Sequence, residues 1–454
     1  MISTVARYKS RAAWLLAGLL WPAAGIAQSA PRSLPLVEAV TLAVRQSKAL
    51  KRNLASQNVT QARVAQAKNG LLPSVAVTSN FYRISDNVTP FVVPFPGAGE
   101  VTLNPQILNQ SFNNFQVRQV LWAGGRVRNG IAVAEREAQA TTAEADQYRL
   151  AAADNVTTIW YTLYTLNASE RIIRENIKVL QDRRRDLTNL ENQGVALKVD
   201  GLKIDLTISQ LKSSLADLRA GQATNSFNLA LATGLPPTTE FAIDPAELPG
   251  TATLGPLDGY LQEALQKRSE LQALGLRREE AVLNQRVARA GSLPSLSFGG
   301  NVDYNRPNQR VFPNQAAFKG TSSVFAALAF DIGGLYTNRA RVAESRFRVE
   351  EQSATIDDTR DRILSEVNAN YRTYEQQVEK IQLQETALAQ ATENFRVEQN
   401  RLKANVSTPT DFLDANTQLL QAQLNLRSAK ANAELARWKL LKSTGRLPAA
   451  NAAN

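Results

Sequence analysis

A chain of 454 residues with neither cysteine nor histidine has no disulfides, thiol chemistry, haem or iron–sulfur ligation, and lacks the commonest general base and zinc ligand. Its formal charge of +11 would suit nucleic acid or an anionic surface, yet Arg and Lys are interleaved with Glu and Asp, with no basic-aromatic cluster, as on solvated helix faces. No paired-acid or glycine-rich phosphate motif stands in a fitting context, and the S-x-x-K at Ser209 to Lys212 lacks its partner motifs, so neither catalysis, metal, cofactor nor nucleic acid is expected.

Residues 1–27 read as a secretory signal. Arg7, Lys9 and Arg11 are its basic start, Ala12 to Leu20 its apolar run, and Gly25-Ile26-Ala27 puts small residues at the cleavage positions. The run is too short, and interrupted by Pro22, to anchor in a bilayer. Its removal takes three positive charges and lowers the net charge from +11 to +8; with no Cys behind it, no N-terminal lipid is expected. A short segment, 28–35, follows.

From residue 36 a helical pattern runs to Gly70, a terminal glycine with Pro73 three residues on. A strand is then predicted at about 74–83, carrying Val75, Val77 and Phe81, and a return strand at about 112–122. Between them Pro90, Pro94, Pro96 and Pro105 exclude further central strands. Gly124-Gly125 opens a long helix in which Val127, Ile131, Ala134, Ala138, Thr141, Ala145, Tyr148 and Ala152, then Ile159 to Leu187, step by four and three. A turn at Gly194-Val195-Ala196-Leu197 leads past Asp200 into a shorter helix ending at Thr233-Gly234. The Pro- and Gly-containing stretch 236–256 is a linker.

The same order then returns. Ala67 to Val75 matches Ala288 to Leu296 around a shared Leu-Pro-Ser, Gly124-Gly125 matches Gly333-Gly334, Val195 and Asp200 match Val406 and Asp411, and Thr233-Gly234 matches Thr444-Gly445. Residues 36–235 and 257–447 are therefore two copies of one unit, helix–strand–strand–helix, before a tail, 448–454. In the second copy the strand at about 295–304 alternates cleanly: Leu296, Phe298, Val302 and Tyr304 against Ser295, Ser297, Asn301 and Asp303. Its return strand, about 321–331, places Val324, Ala326, Leu328 and Phe330 on one face, and Pro307 and Pro313 break the loop between. The rod from Arg339 to Leu402 carries Val342, Val349, Ile356 and Ile363, then Val367, Tyr374, Ile381, Leu388, Phe395 and Leu402, each set at intervals of seven. The two sets are displaced by four, one helical turn, so the stripe keeps to one side of a coiled-coil helix about 100 Å long.

Strands of about ten residues have the length to cross an outer membrane at a tilt. Four cannot close, and open edges are not tolerated in hydrocarbon, so the chain must pool strands with its own copies. Leu296, Phe298 and Val302 are the expected lipid-facing residues, Trp122 and Tyr304 the expected interfacial aromatics, and Ser297 a tolerant position on the wet face.

The Leu-Leu-Pro-Ser and Leu-Pro-Ser motifs, Trp122-Ala-Gly-Gly-Arg126, Asp331-Ile-Gly-Gly334, the turns before Asp200 and Asp411, and Phe412-Leu413-Asp414-Ala415 resemble the TolC-type outer-membrane efflux channel family over nearly the whole chain beyond the signal. The resemblance implies an α+β membrane protein: a trimer whose strands, four per chain, close one β-barrel, continued by a long periplasmic α-helical coiled-coil tunnel. It implies an outer-membrane export channel of a tripartite efflux or type I secretion system, with outer-membrane lipid, a periplasmic adaptor and an inner-membrane pump as partners. The turns Gly194, Val195, Ala196, Leu197 with Asp200, and Asn405, Val406, Ser407, Thr408, would then form the periplasmic tip and adaptor contact, with Asp414 and Asp411 as pore-gate candidates. Both aspartates also read as helix-start residues that cap and solvate. The first-copy counterpart of Asp414 is Lys203, and Thr417 stands where some members carry a basic residue, so a salt-bridged lock built from that neighbour is not expected. A secreted coiled-coil structural or adhesion protein would account for the rods but not for the alternating strands; a carboxylate hydrolase lacks its acid pair.

Overall fold

The computed structural model describes residues 32–446 apart from 98, 244–247, 249–252 and 405. The expected signal (1–27), residues 28–31, parts of the linker, the tip residue Asn405 and the tail 448–454 lie outside the described residues. After a short strand β1 (Arg32–Ser33) come α1 (Leu36–Gln46), α2 (Lys48–Asn69), β2 (Ser74–Arg83), β3 (Phe91–Phe95), β4 (Gly99–Asn104), β5 (Asn109–Trp122), α3 (Arg126–Asn192) and α4 (Lys198–Thr233). β6 (Phe241–Ala242) pairs in parallel with β1. The second series is α5 (Leu257–Lys267), α6 (Ser269–Ala290), β7 (Ser295–Asn305), β8 (Lys319–Ala329), α7 (Gly334–Lys403) and α8 (Pro409–Ser443).

Two features depart from the periodicity. The single helix predicted before Gly70 breaks at Ser47, whose backbone leaves the helical region (φ −53°, ψ 114°) and whose hydroxyl accepts the Leu50 N–H at 3.1 Å. The second series breaks at the equivalent Arg268. The break turns α1 against α3 and α4, so that Ala39, Val40 and Ala43 join a core with Trp160, Tyr164 and Leu229. Gly70 and Gly291, moreover, have ordinary right-handed backbone; a Cβ on Gly291 would meet the Asn338 amide at 3.1 Å, and one on Gly70 would meet Val127 at 3.4 Å. Close approach of the long helices, not a left-handed cap, is what these glycines allow.

The main sheet has the order β2-β5-β7-β8, all antiparallel, and the β5–β7 pair joins the two copies. The proline-rich loop adds no strand to it but folds into a separate hairpin, β3 with β4, a two-stranded ribbon where Pro94 needs bonds on one side only. In the sheet Val77, Phe115 and Val302 lie in one register row. They share an exposed apolar face with Phe81, Phe298, Tyr304, Val324 and Leu328, while Leu296 is half-buried there. The opposite face is polar and hydrogen-bonded: Asn114 of β5 and Asn301 of β7 itself each donate to the Asp303 carboxylate at 2.7 Å, and Arg118 donates across strands to Ser297 at 3.2 Å. Ser297 is therefore not the open, tolerant position expected: it is 3% exposed and holds the arginine. Among the described residues β2 and β8 each lack a partner on one side.

α3 and α7, of 67 and 70 residues, are rods of about 100 Å. α3 pairs with α4 and α7 with α8, and α3 packs along α8 to join the two hairpins. That joint is partly polar: Asn176 and Asn416 exchange two buried amide bonds of 3.0 and 3.1 Å, and Lys442 reaches Asp154 at 3.1 Å. Near the turns all four helices share a core of Ile177, Leu180, Ile204, Leu402, Phe412 and Leu413. Of the α7 stripe, Ile363, Val367, Tyr374, Ile381 and Leu402 are buried, whereas Val342, Val349, Ile356, Leu388 and Phe395 are half-buried. The difference has a positional cause: α7 is an outer element of the helical wall and has neighbours on one side only along much of its length. Leu202 and Leu206 on α4 and Leu383 on α7 are likewise exposed. No helix among the described residues is long and apolar enough to cross a membrane.

Candidate functional site

The α3–α4 turn is built by backbone. Gly194 takes a left-handed conformation (φ 74°), and the N–H groups of Gln193, Val195 and Ala196 turn back onto the Leu190 carbonyl, closing the open end of α3. Leu197 starts α4 without a side-chain cap, and Asp200 in its first turn lies 3.6 Å from Lys203. Val195 and Leu197 project into solvent. Behind the turn Arg184 of α3 bridges to Asp205 of α4 at 3.0 Å and to Glu191 at 3.6 Å. Gly201 makes the approach possible, since a Cβ there would come within 2.8 Å of the Arg184 guanidinium carbon.

The α7–α8 turn uses side chains instead. Thr408 caps α8 with its hydroxyl accepting the Asp411 N–H at 3.2 Å, while the Asp411 carboxylate accepts the Thr408 N–H at 3.0 Å; Pro409 begins the helix. Ser407 donates to Glu398 at 2.6 Å. The Thr408 hydroxyl and then its N–H, with Ser407 and Arg401 adding to them, hold Asp411 below the usual carboxylate range. Asp411, expected as one of two gate residues, is thus engaged in the cap. Asp414, one turn on, is exposed and makes no ion pair or hydrogen bond among the described residues.

Two contacts tie the turns together, and neither follows from the local sequence pattern. Lys203 donates to Thr410 at 2.8 Å, crossing from α4 to α8 one turn from Asp414. Arg183 lies over the Phe412 ring at 6.0 Å, and Phe412 in turn meets Phe395 with ring centroids 5.4 Å apart. The run Arg183-Arg184-Arg185 was the visible signal, but only structure divides it: Arg183 to the ring, Arg184 to α4, Arg185 to Asp182 at 3.5 Å. Gly194, Val195, Ala196, Leu197 and Asp200, and Val406, Ser407 and Thr408, lie together at this end of the rods, while Leu296, Phe298 and Val302 lie on the sheet at the other.

A sequence model of the outer membrane efflux protein family matches residues 39–235 and 260–446. The toluene efflux pump outer membrane protein TtgC of Pseudomonas putida is 24% identical over 305 residues, which make up 65% of this chain and 61% of TtgC. Among solved structures, the outer membrane protein VceC of Vibrio cholerae superposes with a TM-score of 0.73 at 17% identity, over 90% of this chain and 96% of VceC. The open state of the Neisseria gonorrhoeae MtrE outer membrane channel gives 0.70 at 17% identity, over 90% and 88%. At such identities the structural likeness speaks for the fold.

Proposed function

The chain belongs to the outer membrane efflux protein family, and from that premise we propose that it is an outer-membrane export channel, acting as a homotrimer. One observation carries the reading. A four-stranded sheet has an exposed apolar face, a hydrogen-bonded polar face and two unpaired edges, and it continues directly into rods of about 100 Å. Hydrocarbon does not tolerate open edges, so β8 of one copy pairs with β2 of the next, and three copies close a barrel with Leu296, Phe298 and Val302 towards lipid. The outer helices α4 and α7, with Leu202, Leu206 and Leu383 uncovered, meet between copies to complete a periplasmic tunnel.

In this reading the channel is the outer part of a tripartite efflux or type I secretion system. Cargo enters from an inner-membrane pump through a periplasmic adaptor, which docks on the turns Gly194–Leu197 and Val406–Thr408. The conduit itself supplies no reaction and no cofactor. Asp414, exposed and unpaired one turn into α8, is the gate carboxylate: three copies converge on the axis and their repulsion is relieved by cations. Asp411 supports it by fixing the start of the helix. Single-channel recording in planar bilayers tests both levels. The channel reading predicts discrete conductance, and the gate reading predicts that Asp414→Ala weakens block by divalent cations while assembly persists. An absence of conductance contradicts the first; unchanged block contradicts the second.

A further inference from the structure

Where the strands give way to helices, the arginines have no partners. Arg126 and Arg128 open α3, Arg286 and Arg289 close α6, and Arg339 and Arg341 lie in the first turns of α7. All six are exposed, and none of their guanidinium groups makes an ion pair or hydrogen bond among the described residues. Farther along α3 and α7 the pattern reverses. Every arginine there except Arg171 has a carboxylate partner, from Arg136 with Glu279 to Arg401 with Glu398.

Three helices thus hold their uncompensated charge at one level, within about 10 Å of the strand ends along the helix axes. Arg126 and Arg128 are two positions apart and so project from opposite sides of α3, as Arg339 and Arg341 do from α7; one of each pair faces outward however the helix is turned. Trp122, Ile332 and Tyr336 lie exposed between the strands and these arginines. An apolar-aromatic girdle followed at once by bare positive charge has the layering of a membrane interface, hydrocarbon edge first and phosphate next.

We propose that these arginines form a basic collar that binds the anionic phospholipid headgroups of the leaflet facing the helices. The inference rests on the barrel reading given above. It adds a lipid preference that neither the apolar sheet nor the tunnel requires, and the weakly hydrated, forked guanidinium suits phosphate oxygens. The one carboxylate at this level, the exposed Asp331 between β8 and α7, makes no ion pair with any of the six among the described residues.

The test uses the full chain, purified in mild detergent, with equal amounts of phosphatidylglycerol and phosphatidylethanolamine of the same acyl chains. Native mass spectrometry reads the ratio of the two lipids retained by the wild type and by a variant carrying Arg→Gln at all six positions. The wild type should favour phosphatidylglycerol, and the variant should lose about five-fold or more of that preference, about the effect of one arginine at an anionic surface. In parallel, both proteins are inserted into neutral phosphatidylcholine vesicles. If both insert and the lipid ratio is the same, the collar is overturned and the barrel stands. If the wild type does not insert, the barrel reading fails and the collar with it. If the substitutions leave the lipid ratio alone but abolish retention on immobilised peptidoglycan, the charge serves the cell wall and the proposal is overturned.

Discussion

In the second copy Phe412 and Leu413 are 2% and 8% exposed, packed into the core shared by the long helices; the corresponding residues of the first copy are Gly201 and Leu202, the latter 55% exposed. Thr408 caps α8 with its side chain, and its counterpart Leu197 caps nothing. Asp414 faces solvent alone, and its counterpart Lys203 reaches across to Thr410. The sheet and rods of the two copies have kept one plan, while the turns have divided the labour. One turn is anchored by apolar burial and a cap; the other is held by Arg184 and its carboxylates and leaves Leu202 and Leu206 exposed. In the channel proposed above, such divergence at one end of the wall would let the two hairpins move differently.

The contrast breaks most visibly at Phe412. Phe412→Ala removes a buried ring and leaves Arg183 without it, and should destabilise the chain by about 3–5 kcal/mol. Leu202→Ala, uncovered within one chain, should cost the dissociated monomer only about 0.5 kcal/mol. Thermal melting in detergent measures both, and equal losses would mean that the two turns are anchored alike.

The sheet offers the converse test, because there the copies should behave as one. Val77 and Val302 flank Phe115 in one register row and lie at one depth. Val77→Arg and Val302→Arg should therefore each oppose insertion by about 2–4 kcal/mol per chain if that depth is near the midplane. On the polar face Ser297→Ala removes the acceptor of Arg118 and should matter by about 1 kcal/mol. The folded fraction in vesicles across a urea titration separates these outcomes. Tolerance of arginine on the apolar face would overturn the lipid-facing assignment.

The smallest effect sharpens the comparison of caps. Thr408→Ala should weaken the start of α8 by about 1 kcal/mol, whereas Leu197→Ala should leave α4 unchanged in melting experiments. The pH dependence has a definite sign. Asp411 is held below its ordinary range, so its contribution is complete above that range and is lost as pH falls through the depressed value. The difference between Thr408→Ala and wild type should accordingly shrink in acid.

Periodicity made the strands and rods legible because each has one oily face over many residues: the predicted strand at 295–304 is β7 to within one residue. The break at Ser47 is hidden, since one serine among helix formers ends a helix only when a core awaits the redirected segment. The β3–β4 hairpin was hidden by Pro94 and by its lack of alternation. At the turns the two readings of Asp411 were both visible from spacing, and the Thr408 hydroxyl decides that it caps. The roles of Arg183 and Lys203 depend on which helix lies opposite, which no local pattern encodes.

In the proposed trimer the free edges of the sheet at β2 and β8 are completed by copies of the chain. Native mass measurement of the chain extracted from outer membranes in mild detergent tests this most directly. A species of three chains that survives dilution, and that a strand-pairing block at β8 such as Phe325→Pro converts to monomer, is the predicted result. A stable, membrane-inserted monomer would contradict it.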